Sequence, residues 1–283
     1  MHLAIERAIS GIVSAVPFKP AWCPVVRALR PPRQIWGRLP YQGDFSLRVD
    51  TRTLLRLHSP GIPTLNTLFW RGLDSYEPET TRLWLYLSRG ATSILDVGAQ
   101  YGLFALLAAA VNRRATVTGF EPLRPMFDLF ERNIALNGFS QARAVYAAVS
   151  DRAGEVDLHV NGEDHATASL NPVGRPSRHK VTCVTLEGFL RDSAHPLPDL
   201  LKIDVEGYEA EVLTGMVKLL PEVRPSLIVE ILNDDVGARV QALLPRGYAI
   251  YQIDEKQGLV PRREIRRVDR RSRNYFLAPE ERL

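Results

Sequence analysis

The chain has 283 residues, of which 45% are hydrophobic and 24% are charged, as in an ordinary soluble globular protein. Its apolar runs are all shorter than the roughly 20 residues that a membrane-spanning helix needs. Cys23 and Cys183 lack the spacing of a disulfide framework or a zinc site. These features argue against an integral membrane protein and a disulfide scaffold, and they predict a cytoplasmic location.

The net charge of +4 is concentrated in two arginine-rich segments. Residues 262–273 carry seven arginines and two acids, and residues 27–38 carry four arginines and no acid. Such segments are typical either of solvated loops or of surfaces that attract phosphate, anionic lipid or nucleic acid. Residues 1–18 have one apolar helical face, and Glu6 argues against a signal peptide. They predict an amphipathic helix that either contacts a membrane peripherally or packs on its own domain.

From residue 93 onward, strand-like and helix-like segments alternate. This alternation predicts an α/β fold with a mostly parallel sheet covered on both faces. The last two strand patterns have no helix between them, so they are expected to pair antiparallel. The predicted strands are 93–97, 115–120, 143–149, 200–205, 226–232, 248–253 and 274–278.

Two other regions depart from the alternation. Residues 150–196 follow the third strand and contain strand patterns at 155–160 and 180–184 around a polar loop, which predicts a β-rich insertion. Residues 1–40 are rich in proline and arginine and are interpreted as an N-terminal extension. Residues 41–92, with a helix predicted from about Glu77 to Leu87, are assigned to the main domain at 41–283.

The stretch DVGAQYG, residues 96–102, joins the first strand of this alternation to the next helix. Ligands of open α/β sheets bind beyond the carboxyl ends of such strands. A dinucleotide loop needs G-x-G-x-x-G, whereas Gln100 replaces the middle glycine and would intrude on a diphosphate. The methionine part of S-adenosylmethionine tolerates this change and can use the glutamine amide. Glu121, at the end of the second strand, is placed to accept both hydroxyls of a ribose.

The stretch LKIDVEGYE, residues 201–209, has the highest density of charged groups on a predicted strand end. Strand alternation puts Lys202 and Asp204 on one face, and a buried lysine needs Asp204 or Glu206 as its partner. Either acid is then a candidate general base for methyl transfer to a hydroxyl, and a purely structural ion pair is the alternative. His165, in the insertion, is a rival base.

A divalent cation is an alternative ligand of the same region. Asp204 together with Glu230, Asn233 or Asp234 would form an oxygen-rich pocket suited to a hard cation. The sequence does not define a ligand number, so no residue is assigned as a metal ligand.

Several segments resemble, in order over roughly 75–280, the FkbM-type family of S-adenosylmethionine-dependent methyltransferases. K-I-D-V-E-G-x-E is the most specific of them. The segments include SYEPET (75–80), ILDVGAQYGLF (94–104), GFEP (119–122), LLKIDVEGYEAEVLTGM (200–216), PSLIVEI (225–231) and NYFLAP (274–279).

The resemblance implies a class I methyltransferase (Rossmann-like) fold with a seven-stranded, mostly parallel sheet, a closing antiparallel hairpin and an insertion after the third strand. It implies that the cofactor is bound by Asp96, Gly98, Gln100, Gly102 and Glu121, with Ala148 in the adenine wall and Glu77 toward the methionine end. The family usually has asparagine at the position of Gln100.

The activity that the resemblance implies is O-methylation of a hydroxyl on a sugar, a glycan or a polyketide-type natural product. A nucleic-acid methyltransferase is an alternative suggested by the arginine-rich segments. It is weakened because D-V-E-G stands where amino-methylating DNA enzymes have an Asn/Asp-Pro-Pro-aromatic motif. A non-catalytic module that keeps the fold is a second alternative. The sequence leaves the oligomeric state open.

Overall fold

The computed structural model describes residues 40–161, 164–170, 177–193, 195–268 and 272–283. The predicted amphipathic segment, the first arginine-rich segment and Cys23 lie outside these residues. Two compact units are present, one ending at Thr81 and the other running from Arg82 to Leu283. None of the helices described is long and apolar enough to cross a membrane. The boundary at residue 40, the location and the membrane contact stay predictions.

The unit that ends at Thr81 contains a β-hairpin and a helix. β1 (Gly43–Arg48) pairs antiparallel with β2 (Leu54–Ser59), and buried side chains alternate with exposed ones along both strands. Helix α1 (Pro63–Arg71) begins with proline in its first turn, where the missing N–H costs no helical hydrogen bond. Helix α1 is not among the helices predicted from the sequence. α2 (Pro78–Gly90) confirms the helix predicted from about Glu77.

The unit from Arg82 onward alternates strands and helices as predicted. Its strands are β3 (Ser93–Val97), β4 (Thr116–Phe120), β5 (Ala142–Val145), β6 (Ala148–Val149), β7 (Gly154–Asn161), β8 (Asp164–Ser169), β9 (Ser177–Val184), β10 (Leu200–Ile203), β11 (Ser226–Glu230), β12 (Tyr248–Asp254), β13 (Gly258–Arg262) and β14 (Asn274–Pro279). Its helices are α3 (Leu103–Val111), α4 (Arg124–Asn137), α5 (Leu186–Asp192), α6 (Glu209–Thr214), α7 (Leu220–Val223) and α8 (Asp234–Leu243).

The main sheet has the order β13-β12-β14-β11-β10-β3-β4-β5. The strands from β11 to β5 in this order are parallel. β14 pairs antiparallel with β11, and β12 pairs antiparallel with β14, so the mostly parallel sheet and its antiparallel closing pair are confirmed. The central strands β3, β10 and β11 are buried along their whole length, because helices cover both faces of a parallel sheet.

Within the described residues, the main sheet has eight strands where seven are predicted. The additional strand, β13, lies between the last two predicted strands, where no strand is predicted, and pairs antiparallel with β12. The Asp254 carboxylate accepts hydrogen bonds from the backbone N–H groups of Lys256 (2.9 Å) and Gln257 (3.0 Å), and Gly258 follows with φ 84°. This tight turn folds the chain into a hairpin, a signal that apolar periodicity does not carry.

The β-rich insertion after the third strand is confirmed and is more extensive than predicted. The predicted strand 143–149 divides into β5 and β6, which belong to different sheets. β6, β9, β7 and β8 form a separate four-stranded sheet in that order. β8 falls in the segment predicted as a polar loop. It has no apolar pattern of its own and is a strand because it pairs with β7.

Gly102, at the start of α3, is required by both its backbone conformation and its surroundings. Its φ is 85°, in the left-handed region that non-glycine residues rarely adopt. A Cβ atom at this position would lie 2.0 Å from the Phe130 ring of α4. Gly138, which ends α4 with φ 60°, has open space where its Cβ would be.

These two glycines predict different costs for the same substitution. Gly138→Ala should lower the free energy of unfolding by about 1 kcal/mol, the cost of the left-handed conformation alone. Gly102→Ala adds overpacking against Phe130 and should lower it by roughly 2–5 kcal/mol in total. Urea denaturation of both variants measures the difference, and equal losses would contradict the role given to Phe130.

Candidate functional site

A cleft opens beyond the carboxyl ends of β3, β4 and β10, the edge at which open α/β sheets bind ligands. One wall is apolar and includes Phe120, Ala147, Ala148, Val149 and Leu158. The polar lining includes Gln100, Ser169 and three carboxylates, Glu121, Asp204 and Glu206. The structure therefore brings together predicted residues from both sequence motifs.

The turn after β3 is hydrogen-bonded to the end of β4 and packs closely against the backbone after β10. The N–H groups of Gly98 and Ala99 both donate to the Phe120 carbonyl at the end of β4, at 3.1 and 2.9 Å. A Cβ atom on Gly98 would lie 1.9 Å from the Asp204 carbonyl oxygen, which follows β10. Gly98 is thus needed so that the backbone after β10 can pack against the turn.

Gln100 adopts a left-handed backbone conformation, with φ 51°. Asparagine occupies this region more readily than glutamine. The backbone geometry therefore gives a physical reason for the asparagine that the family pattern has at this position. The turn is tied to β4 because the Gln100 N–H donates to Glu121 Oε2 at 2.9 Å.

Glu121 lies in the cleft with its side chain almost fully buried. Oε2 accepts the Gln100 N–H, and Oε1 accepts the Leu123 N–H at 2.8 Å. Each carboxylate oxygen has a second lone pair, so two acceptor positions remain for a ligand with two hydroxyls. Burial raises the pKa of Glu121 from 4.5 to about 7, although the two N–H bonds oppose the shift.

Asp96 lies beneath the turn, fully buried in β3. Its Oδ2 accepts the Ala105 N–H of the first turn of α3 at 2.9 Å. Its Oδ1 is buried and has no hydrogen-bond partner among the residues that the structure describes. Burial raises the pKa of Asp96 to about 6, more than the nearby Lys202 lowers it. The unmatched oxygen is a buried acceptor close to the cofactor turn.

The predicted ion pair of Lys202 is formed with Asp204. Lys202 Nζ donates to Asp204 Oδ2 at 2.6 Å, and the lysine side chain is only 3% exposed. The ammonium group also lies 4.5 Å from the centre of the Phe104 ring. Because Asp204 itself lines the cleft, the pair joins the core of the sheet to the site.

Two residues that the sequence reasoning misses hold the turn after β10. Glu209 is fully buried, and its Oε1 accepts the N–H groups of Val205 (3.1 Å) and Gly207 (3.0 Å). From the insertion sheet, the Ser169 hydroxyl donates to the Glu206 carbonyl at 2.9 Å. Glu206 stands between Val205 and Gly207 in this turn and adopts a left-handed backbone conformation, with φ 56°. The sequence feature that points to Glu209 is its position as an acid in the first turn of a helix. No sequence feature points to Ser169.

Glu230, at the end of β11, extends the acidic edge of the site. One carboxylate oxygen from each of Asp204, Glu206 and Glu230 lies within 4.8 Å of the others. The Arg273 guanidinium is 3.5 Å from Glu230 and offsets part of this charge. Of the other donors considered for a cation, Asn233 and Asp234 each accept a backbone N–H, from Val236 and Arg267. Each carboxylate can supply one or two oxygens, so these three groups do not by themselves define the ligand number of a cation.

Five predicted residues are not among those that line the cleft. Asp96 and Lys202 are two of them and lie in the buried strands β3 and β10. Gly102 supports the cleft indirectly through its packing on Phe130. Glu77 belongs to the unit that ends at Thr81, where its carbonyl accepts the Thr81 N–H. The His165 backbone is part of β8, and its side chain lies outside the described part of the chain.

The sequence of the unit from Arg82 onward matches a known family. Residues 96–250, more than half of the chain, match the family model described as the methyltransferase FkbM domain. The chain belongs to the FkbM methyltransferase family. Together with the order of the sheet, this membership confirms the predicted class I methyltransferase fold.

Individual relatives are similar to this chain at low sequence identity. The methyltransferase sdnD of Sordaria araneosa is 28% identical over 183 residues, which are 53% of this chain and 71% of the relative. The hexuronic acid methyltransferase AglP of Haloferax volcanii is 29% identical over 171 residues, 57% of this chain and 65% of the relative. A crystal structure of an FkbM methyltransferase from Methylobacillus flagellatus KT has a TM-score of 0.42 and 16% identity, covering 66% of this chain and 43% of that one.

The left-handed conformation of Gln100 predicts a difference between two substitutions. Gln100→Asn should leave the free energy of unfolding unchanged or raise it by up to about 1 kcal/mol, while the β-branched Gln100→Val should lower it by a similar amount or more. Both variants keep the N–H that donates to Glu121. Urea denaturation compares the two variants. An asparagine variant no more stable than the valine variant would contradict the left-handed conformation of residue 100.

The raised pKa of Glu121 predicts a pH dependence of stability without ligand. The unfolded carboxyl loses its proton near pH 4.5 and the folded one near pH 7, so the folded state binds this proton more tightly. The stability of the wild type relative to Glu121→Gln should therefore fall by up to about 3 kcal/mol between pH 4.5 and 7, and then stay constant.

Chemical denaturation across this pH range measures the effect. Glu131→Gln makes the same substitution at an exposed residue of α4 and serves as the control. If the free energies of unfolding of Glu121→Gln and the wild type differ by the same amount at every pH, Glu121 does not cause the pH dependence.

Proposed function

We propose that this FkbM family member is an S-adenosylmethionine-dependent O-methyltransferase acting on a hydroxyl of a sugar, a glycan or a polyketide-type natural product. One observation carries the proposal. The same cleft contains an apolar wall with Glu121 at its edge and the Asp204 carboxylate held by Lys202. The first part suits an adenosine, and the second suits a hydroxyl that must lose a proton.

The chain's own groups fit the proposed cofactor. The wall that includes Ala148 offers an apolar surface for adenine, and Glu121 retains two acceptor positions for the ribose hydroxyls. Gln100 provides polar atoms for the amino acid end, and the buried Asp96 beneath the same turn is assigned to this end as well. Glu77, which belongs to the other unit, stays a prediction from the family resemblance. When bound, S-adenosylmethionine supplies an electrophilic methyl group on its sulfonium sulphur.

Asp204 is the proposed proton acceptor. Lys202 Nζ holds its Oδ2, so the carboxylate is oriented and Oδ1 is left to take the proton of an acceptor hydroxyl. Lys202 is assigned a positioning role, because it contacts Asp204 from the core. Glu206, which also lines the cleft, is the alternative acceptor of the proton. His165 stays a rival on sequence grounds alone.

The charge of the cleft argues against a polyanionic acceptor. Three carboxylates line it, and neither arginine nor lysine occurs among the described residues that form its walls. This composition disfavours a nucleic-acid backbone, since phosphates would face like charge. The name of AglP, a hexuronic acid methyltransferase, supports a sugar as the acceptor.

The division of roles predicts different effects for two variants. Glu121→Ala should weaken S-adenosylmethionine binding by about 100-fold or more, because two hydrogen bonds to a charged group are lost. Asp204→Asn should leave binding within a few-fold of the wild type and remove methyl transfer. Isothermal titration measures the binding, with thermal unfolding of each variant as the control for folding.

Turnover is measured by mass spectrometry on a panel of glycans and polyketide hydroxyls, as the gain of one methylene group, with and without a metal chelator. A wild-type chain that does not bind S-adenosylmethionine would overturn the enzyme proposal in favour of a non-catalytic module. Equal loss of binding in both variants would contradict the roles given to Glu121 and Asp204. If the chelator stops methyl transfer, the proposed mechanism without a metal ion would be wrong.

A further inference from the structure

A second depression lies at the amino-terminal edge of β4 and β5, the edge of the sheet opposite the cleft. It has a volume of about 320 Å³. Its lining includes Arg143, His195, Ser140, Gln141 and Ser193 and, among the described residues, no carboxylate. The depression therefore combines a fixed positive charge with hydroxyl and amide groups, and the proposed methyl transfer uses none of them.

The Arg143 guanidinium is held in place by protein groups on one side. Arg143 and Thr118 are directly opposite each other on β5 and β4, and Arg143 Nε donates to Thr118 Oγ1 at 3.0 Å. The guanidinium also lies over the Phe189 ring of α5, 5.0 Å from its centre. Because Nε and one face of the plane are engaged, little side-chain entropy remains to be lost when the outer nitrogens bind a ligand.

Arg143, Thr118 and the buried His195 form a chain of hydrogen bonds, and His195 fixes its direction. His195 Nδ1 lies 2.7 Å from the Pro196 carbonyl oxygen, so Nδ1 must carry the hydrogen and donate. Nε2 then accepts the Thr118 hydroxyl at 2.9 Å, and the hydroxyl oxygen accepts Arg143 Nε. Burial lowers the pKa of His195, which favours this neutral form. The positive charge at the depression therefore belongs to Arg143.

The outer nitrogens of Arg143, Nη1 and Nη2, make no hydrogen bond or ion pair with a described residue. Their parallel N–H groups match two oxygens of a phosphate, sulfate or carboxylate. We propose that this depression binds a small oxyanion through Arg143. The proposal is independent of the methyl transfer, because the two sites lie at opposite edges of the sheet and share no residue.

The test titrates the full chain with inorganic phosphate and, in a second arm, with acetate, by isothermal calorimetry at ionic strength matched with sodium chloride. Saturable binding of either anion is expected for the wild type. Arg143→Gln should weaken it on the order of tenfold or more, and Arg143→Lys should weaken it nearly as much, since lysine cannot form the paired bonds.

Arg113→Gln is the matched control. Arg113 stacks on Phe139 at 4.3 Å, so this variant removes the same charge and a similar ring contact, but Arg113 does not line the depression. It should bind the anions as the wild type does, and all variants should keep the wild-type thermal midpoint and affinity for S-adenosylmethionine. No saturable binding of either anion by the wild type, or equal binding by Arg143→Gln and the wild type, would overturn the proposal. A loss in Arg113→Gln as large as that in Arg143→Gln would overturn it as well, since net charge alone would then explain the binding.

Discussion

The Asp204 carbonyl occupies the space in which a side chain at position 98 would lie. This contact brings the turn after β3 and the strand end that carries Asp204 into the same cleft. It requires glycine at position 98, because any Cβ would overlap the backbone of the neighbouring strand. The hydrogen bonds from Gly98 and Ala99 to the Phe120 carbonyl attach the same turn to β4. The backbone of three adjacent parallel strands thus positions the proposed cofactor and acceptor groups relative to each other.

The site concentrates buried charge, which is costly without a ligand. Burial raises the pKa of Asp96 to about 6 and those of Glu121 and Glu209 to about 7. Each carboxylate is held by backbone N–H groups, so its position is fixed although its ionised form is disfavoured. A cationic ligand with hydroxyl donors would stabilise the ionised forms. Carboxyl groups with raised pKa values beside a cleft are frequent at functional sites.

The insertion sheet participates in the site as well as surrounding it. Leu158 of β7 lines the cleft, and Ser169 of β8 holds the Glu206 carbonyl. A change in this sheet would therefore reach both the wall of the cleft and the turn that carries the acidic groups.

The sequence by itself determined the elements whose signals are local. Apolar periodicity identified the parallel strands, and the alternation along residues 201–209 placed Lys202 beside Asp204. The quoted motifs identified the FkbM family. Tertiary structure decided β8, which depends on pairing with β7, and the Arg143–Thr118–His195 chain, whose histidine and threonine are 77 positions apart. It also decided why Gly98 and Gly102 are glycines, since the atoms that exclude a side chain there come from distant segments. Periodicity reports which face of an element is buried, whereas the partner that buries it is set only when the whole sheet assembles.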